Sequence, residues 1–328
     1  MALPNNKKEQ IAQIIIQTLY ANFALFENEI CNKIPFEILF NEVFHPTTIS
    51  IAHSDCISFS SWMHGLNTSL GQSFFESVAH ILCDGEKKDF KSNTIFANQM
   101  TAIAEVMTEL KNATKEPSVK GEDAILEQNA NGVTQTAPNF TVDCFYETDT
   151  EVVGIELKSV RPNSGEMRGE KQKILIGKAV LRKLYPNKDV KYLFGFPFDP
   201  TSDGNTTYDK ARFLSYLVEA EKFVASEDFL IADELWSFLA SSEGAMQEIL
   251  QIINRIATPK FMEIFDKIQN NSLNTDEKRR LLTEWYLFSE LEILESVQRT
   301  SSNCRRYNQS IFKTDGSYNQ SRLSLLSE

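Results

Sequence analysis

Residues 138–158 read PNFTVDCFYETDTEVVGIELK, and the fold is decided there. Phe140–Thr148 and Val152–Val160 are β-rich runs parted by Asp149-Thr150, which predicts two antiparallel strands and a tight turn. Folding about that turn pairs positions whose numbers sum to 299, as those of Asp149 and Thr150 do, and sets Asp143 opposite Glu156. Side chains two apart on a strand share a face, so Glu156 and Lys158 point the same way while Ile155 and Leu157 point the other. Two carboxylates and one ammonium converge at one end of the hairpin.

Adjacent carboxylates repel, and keeping both ionised in a partly buried place calls for a cation. Oxygen donors at a strand end suit Mg²⁺, which takes one or two carboxylates and retains several waters. A lysine alongside can deprotonate an attacking water and offset charge on a phosphorane-like transition state. The competing reading is a solvated cross-strand charge pattern. Against it stand the apolar neighbours Phe140, Val142, Phe145, Val152, Val153, Ile155 and Leu157, which mark a central hairpin where charges need a reason.

Working outward, the charge balance reverses after the hairpin. Residues 158–191 hold ten Lys and Arg against Glu166, Glu170 and Asp189, a balance of +7 in a chain of net charge -12. A basic segment beside an acidic metal site suits a protein that holds a polyanion over it. The chain as a whole, at 328 residues with 42% hydrophobic and 24% charged residues, is neither disordered nor a basic nucleic-acid coat. No apolar run is long enough to span a bilayer. Five scattered cysteines without a CxxC pair read as reduced thiols of a cytoplasmic protein.

Upstream, Ile11, Ile15, Leu19, Phe23 and Phe26 mark an amphipathic helix. A second helix is expected over 69–83, with Gln72, Glu76 and His80 as a polar line, and a third over 96–112. Residues 113–139 read as loop or weak strand. Downstream, Glu170–Leu184 returns to helical spacing and Val190–Phe196 reads as a strand. Helices are expected at about 207–225, 228–241, 243–257, 259–270 and 275–298, with a loosely held tail over 300–328. His53, Ser60 and His64 raise the idea of a serine hydrolase, but no G-x-S-x-G elbow accompanies them. No HExxH, Cys/His cluster or P-loop is present, so neither zinc nor ATP is implied. Trp236, Trp285, Phe238 and Phe288 read as core or subunit interface.

Asp143, Glu156 and Lys158 resemble the signature of the PD-(D/E)XK nuclease superfamily, with Val142 where many members have proline. The resemblance implies a restriction-endonuclease-like α/β core, a central mixed sheet flanked by helices, here with large all-helical additions at both ends. It implies Mg²⁺ on Asp143, Glu156 and the backbone carbonyl of Leu157, with Glu76 as an additional acid. The superfamily's first core strand is not evident, with 122–128 a weak candidate. The run Glu156–Lys173 is similar to TdeIII-like type II restriction endonucleases, and Asp233–Leu239 looks like an E-x-W-x-F-L helix of several restriction endonuclease families.

These resemblances imply Mg²⁺-dependent cleavage of double-stranded DNA at a short, roughly palindromic GC-rich site of GGNCC type, leaving 5′-phosphate ends. They imply a homodimer and a cognate DNA methyltransferase as genetic partner. Arg161, Asn163, Arg168, Lys171 and Gln172 are the candidate DNA contacts, Lys171 to phosphate. The expected organisation is a single nuclease domain over 1–328. It comprises a helical region over residues 1–68, a catalytic core of about 69–200, a helical region over 207–298 for dimerisation or DNA binding, and the tail. The alternatives are a structure-selective repair or recombination nuclease and a non-catalytic DNA-binding protein.

Overall fold

The computed structural model describes residues 2–28, 73–158, 164–269, 274–299 and 309–326. The chain divides into two compact units, one of residues 1–3 and 75–248, the other of residues 4–74 and 249–328. In chain order the helices and strands are α1 (Asn5–Asn28), α2 (Phe75–Cys83), β1 (Glu86–Phe90), β2 (Thr94–Phe96), α3 (Ala97–Lys111), α4 (Val119–Gln128), β3 (Thr134–Thr136), β4 (Phe140–Glu147), β5 (Glu151–Leu157), α5 (Ser164–Leu184), β6 (Asp189–Phe196), α6 (Lys210–Tyr216), β7 (Phe229–Ile231), α7 (Asp233–Ala240), α8 (Ala245–Ile256), α9 (Phe261–Gln269), α10 (Thr275–Glu284) and α11 (Phe288–Arg299).

The first unit is built on a five-stranded mixed sheet of order β1-β4-β5-β6-β7. The first three strands pair antiparallel, and β6 and β7 add in parallel. The hairpin forms in the expected register, from Cys144 opposite Ile155 to Glu147 opposite Val152. Its loop is closed by the Thr148 N–H donating to the Glu151 carbonyl at 2.9 Å. The Thr148 hydroxyl accepts from the N–H groups of Thr150 and Glu151. Residues 152–156 of β5 are all buried, as befits a central strand covered on both faces. Helix α5 is the crossover that parallel pairing of β5 and β6 requires, and it begins six residues earlier than the spacing predicted.

Several expectations are corrected. The weak strand candidate at 122–128 lies in α4. Ser118 caps that helix, its hydroxyl accepting from the Gly121 N–H, while Glu122 reaches back to the Ser118 N–H. The strand that opens the sheet is β1, sequence EKKDF, whose charges suit an edge with one neighbour and hide it from a search for apolar alternation. The sheet also extends past residue 200, because Phe229-Leu230-Ile231 forms β7 rather than the start of a helix over 228–241. A short apolar run does not distinguish the two by periodicity. The helix expected over 207–225 is only α6 followed by short 3₁₀ turns.

Where it is described, the second unit is mainly helical. The helix expected over 275–298 is divided into α10 and α11 at Trp285–Leu287, where Tyr286 adopts a left-handed φ of 58°. Trp285 is core, stacked on Phe261. The tail is not loose over 309–326. Arg322 is buried and forks onto both Glu290 oxygens at 2.6 and 2.7 Å, and the Tyr318 hydroxyl donates to the same carboxylate. His53, Ser60, His64, Arg161 and Asn163 lie outside the described residues.

Candidate active site

Asp143 is the residue of β4 next to the last ladder pair, and its Oδ2 accepts the backbone N–H of Leu157 at 3.1 Å. That bond ties the aspartate to the neighbouring strand beside Glu156. Helix α2 lies against β4, and His80 Nε2 donates to the Asp143 carbonyl at 2.7 Å. One turn earlier on α2, Glu76 meets Lys87 of β1 at 3.1 Å, and Lys87 stands 3.8 Å from Asp143 Oδ1. Glu76 therefore reaches Asp143 through a lysine that bridges the two acids.

Glu156 is fully buried. Its Oε1 accepts from the Tyr192 hydroxyl and its Oε2 from Lys173 Nζ at 2.6 Å. Burial, followed by the charge of Asp143, pushes its pKa up to about 7, although Lys173 and Tyr192 pull the other way. Lys158 Nζ lies 3.9 Å from Glu156 Oε2 and 2.7 Å from Glu170 Oε1. Burial alone would lower the pKa of Lys158, but the attraction of Glu170, Glu156 and Asp143 overrides it and holds the ammonium above its ordinary range.

The match between strand and helix explains this arrangement. Alternate residues of β5, Gly154 and Glu156, with Lys158 just beyond, advance about 6.6 Å per pair, and one turn of helix advances about 5.4 Å. Helix α5 runs back over them so that Gly177 packs on Tyr192 above Gly154, Lys173 meets Glu156 and Glu170 meets Lys158. Sequence reasoning misses Glu170, Lys173 and Tyr192 as site residues. For Glu170 and Lys173 the only signal there is the 170/173/177 helical row, which needs the helix placed on the strand before it means anything; Tyr192, on β6, has none until β6 is paired with β5.

Among the proposed DNA contacts, Arg168 and Gln172 are exposed on α5. Gln172 and Lys173, with Asn139, Thr141 and Gly169, help line an open groove of about 510 Å³. Lys171 is corrected: it is fully buried, with Nζ 2.7 Å from both Glu122 and Asp228, and that position keeps it from a phosphate. The charges tie α5 to α4 and to the residue before β7.

Among the described residues no three His, Cys, Asp or Glu side chains are gathered to hold a metal ion. The carboxylates of Asp143 and Glu156 at the hairpin end are oxygen donors, which fit a hard divalent cation that retains waters. The fit rests on the buried Glu156 beside Asp143, a pair of acids whose charges are met here by lysines.

No solved structure matches the chain. The Type II restriction enzyme MjaII of Methanocaldococcus jannaschii is 39% identical over 356 aligned positions, covering 98% of this chain and 96% of that protein. The run 156–173 pointed to TdeIII-like enzymes, whereas the family that matches is described as Type II restriction endonuclease, HinfI, over residues 3–257. With that match spanning most of its length, the chain belongs to the HinfI family of Type II restriction endonucleases.

Proposed function

We propose that Asp143, Glu156 and Lys158 are the catalytic centre of this site-specific deoxyribonuclease, arranged as in the PD-(D/E)XK superfamily. The observation that carries the reading is the wholly buried Glu156, with Asp143 beside it on the next strand and Lys158 Nζ 3.9 Å away. Asp143, Glu156 and the Leu157 carbonyl would hold Mg²⁺, with Glu76 close enough to join if Lys87 moves aside. When bound, Mg²⁺ supplies charge neutralisation and polarises the scissile phosphate.

Lys158 then has less negative charge holding its proton, and it can orient the attacking water and accept a proton from it. Water oxygen bonds to phosphorus, the bond from phosphorus to the 3′ oxygen breaks, and that oxygen leaves with a proton. The ends are a 5′-phosphate and a 3′-hydroxyl. Arg168 and Gln172 on the exposed face of α5 contact the double-stranded DNA, together with Arg161 and Asn163 in the preceding segment.

The target is a short, roughly palindromic, GC-rich site of GGNCC type. A two-fold site read by one kind of chain calls for a homodimer, one active site per strand. The enzyme works in the cytoplasm beside a cognate methyltransferase that protects host sites. Among the described residues no helix is long and apolar enough to cross a membrane. The test is digestion of unmethylated plasmid with and without Mg²⁺, followed by sequencing of the fragment ends. Discrete metal-dependent fragments with 5′-phosphates support the reading, and cleavage that persists in EDTA overturns it.

A further inference from the structure

Tyr192 is fully buried and pairs with Gly154 across the parallel β5–β6 ladder. Two glycines make the slot that holds its ring. A Cβ on Gly154 would lie 3.0 Å from Tyr192 Cδ2, and one on Gly177 of α5 would lie 2.3 Å from Cε1. The Phe140 ring, with its centroid 6.2 Å away, stands nearby. A phenylalanine would fill this slot equally well, so packing does not account for the hydroxyl. That hydroxyl donates to Oε1 of Glu156.

The two oxygens of Glu156 are held by unlike donors. Oε1 is held by a neutral phenol on a ring that has no room to turn. Oε2 is held by Lys173, a flexible side chain one quarter exposed. We propose that Tyr192 is a positioning residue that fixes the carboxylate plane of Glu156 and leaves Oε2 as the oxygen offered to the divalent cation once Lys173 moves away. The proposal rests on the reading of Glu156 as a metal-binding group. Partners of metal ligands of this kind are worth roughly tenfold to hundredfold in metal affinity.

The test is a titration of metal-free protein with Mn²⁺ alone, following free Mn²⁺ by electron paramagnetic resonance, for wild type, Tyr192→Phe and Glu156→Gln. Thermal unfolding in EDTA is recorded for each. Tyr192→Phe keeps the ring, so the expected result is a folded protein whose Mn²⁺ dissociation constant rises roughly tenfold or more. Its cleavage rate at limiting Mg²⁺ falls correspondingly and recovers as Mg²⁺ is raised, which a purely structural tyrosine would not produce. Tyr192→Phe binding Mn²⁺ as wild type does overturns the proposal, provided Glu156→Gln has lost that binding. Unaltered binding by Glu156→Gln, or none by wild type, overturns the metal reading beneath it and the proposal with it. Should Tyr192→Phe not fold, Gly154→Ala, which crowds the same ring, is titrated against the same criterion.

Discussion

The Lys158 ammonium is bonded to Glu170 of α5 at 2.7 Å and stands farther, at 3.9 Å, from Glu156, two residues before it in the chain. The lysine is thus aimed by a helix that arrives after the motif, not by the motif itself. Glu170→Gln removes the charge that holds Lys158 in place while keeping the side chain's shape. Single-turnover cleavage should fall roughly tenfold to hundredfold, with DNA affinity little changed. A rate equal to wild type would show that Lys158 needs no such anchor.

Lys171 sits one residue from Glu170 on the helix and does the opposite job. It lies 2.7 Å from both Glu122 and Asp228 in the core. Lys171→Ala leaves two buried acids without their cation, a loss on the order of 3–5 kcal/mol. The unfolding midpoint should drop sharply, while DNA binding per folded molecule stays the same. A stable Lys171→Ala protein with weakened DNA binding would restore the phosphate role that its charge suggests.

These two residues show what is legible in the sequence. The constellation of Asp143, Glu156 and Lys158 is accessible because a tight turn at 149–150 fixes the register of both strands at once, and the register forms as expected. Met167, Lys171 and Ile174, spaced four and three apart, form one buried row in the first half of α5, and from Ile174 to Leu181 the helix is buried throughout. Helical periodicity alone puts Lys171 inside, and only its charge argues for a surface. Tyr192 is not legible because its role depends on which residue of β5 it faces, a tertiary pairing. Strand β1 escapes because an edge strand can be charged, and α4 because the polar stretch 113–139 conceals its Ser118 cap.

The pKa of Glu156, raised from the ordinary 4.5 to about 7, makes stability depend on pH. The folded metal-free protein takes up this proton more readily than the unfolded chain. The resulting stabilisation is complete below the unfolded value and is lost as pH rises through about 7. Metal-free wild type should therefore lose stability relative to Glu156→Gln between pH 5 and pH 8, by about 3 kcal/mol at most. Thermal melts of the two proteins in EDTA across that range check it, and parallel curves would contradict it.

Arg168 is exposed on α5, whereas Lys171 is not. Arg168→Ala should weaken DNA binding and reduce the slope of log affinity against log salt by about 1 if it meets a phosphate. If it meets a guanine edge, the loss is larger on cognate than on unrelated DNA. Affinities measured on both DNAs over a salt series separate these from an arginine that does not touch DNA.

The most direct measurement is digestion of unmethylated phage DNA with Mg²⁺ by wild type and by Lys158→Ala, each shown to be folded by circular dichroism. Discrete fragments from wild type, with none from Lys158→Ala under the same conditions, are the expected result. Fragments of the same pattern and rate from both proteins would contradict the account and move the catalytic centre away from the end of the hairpin.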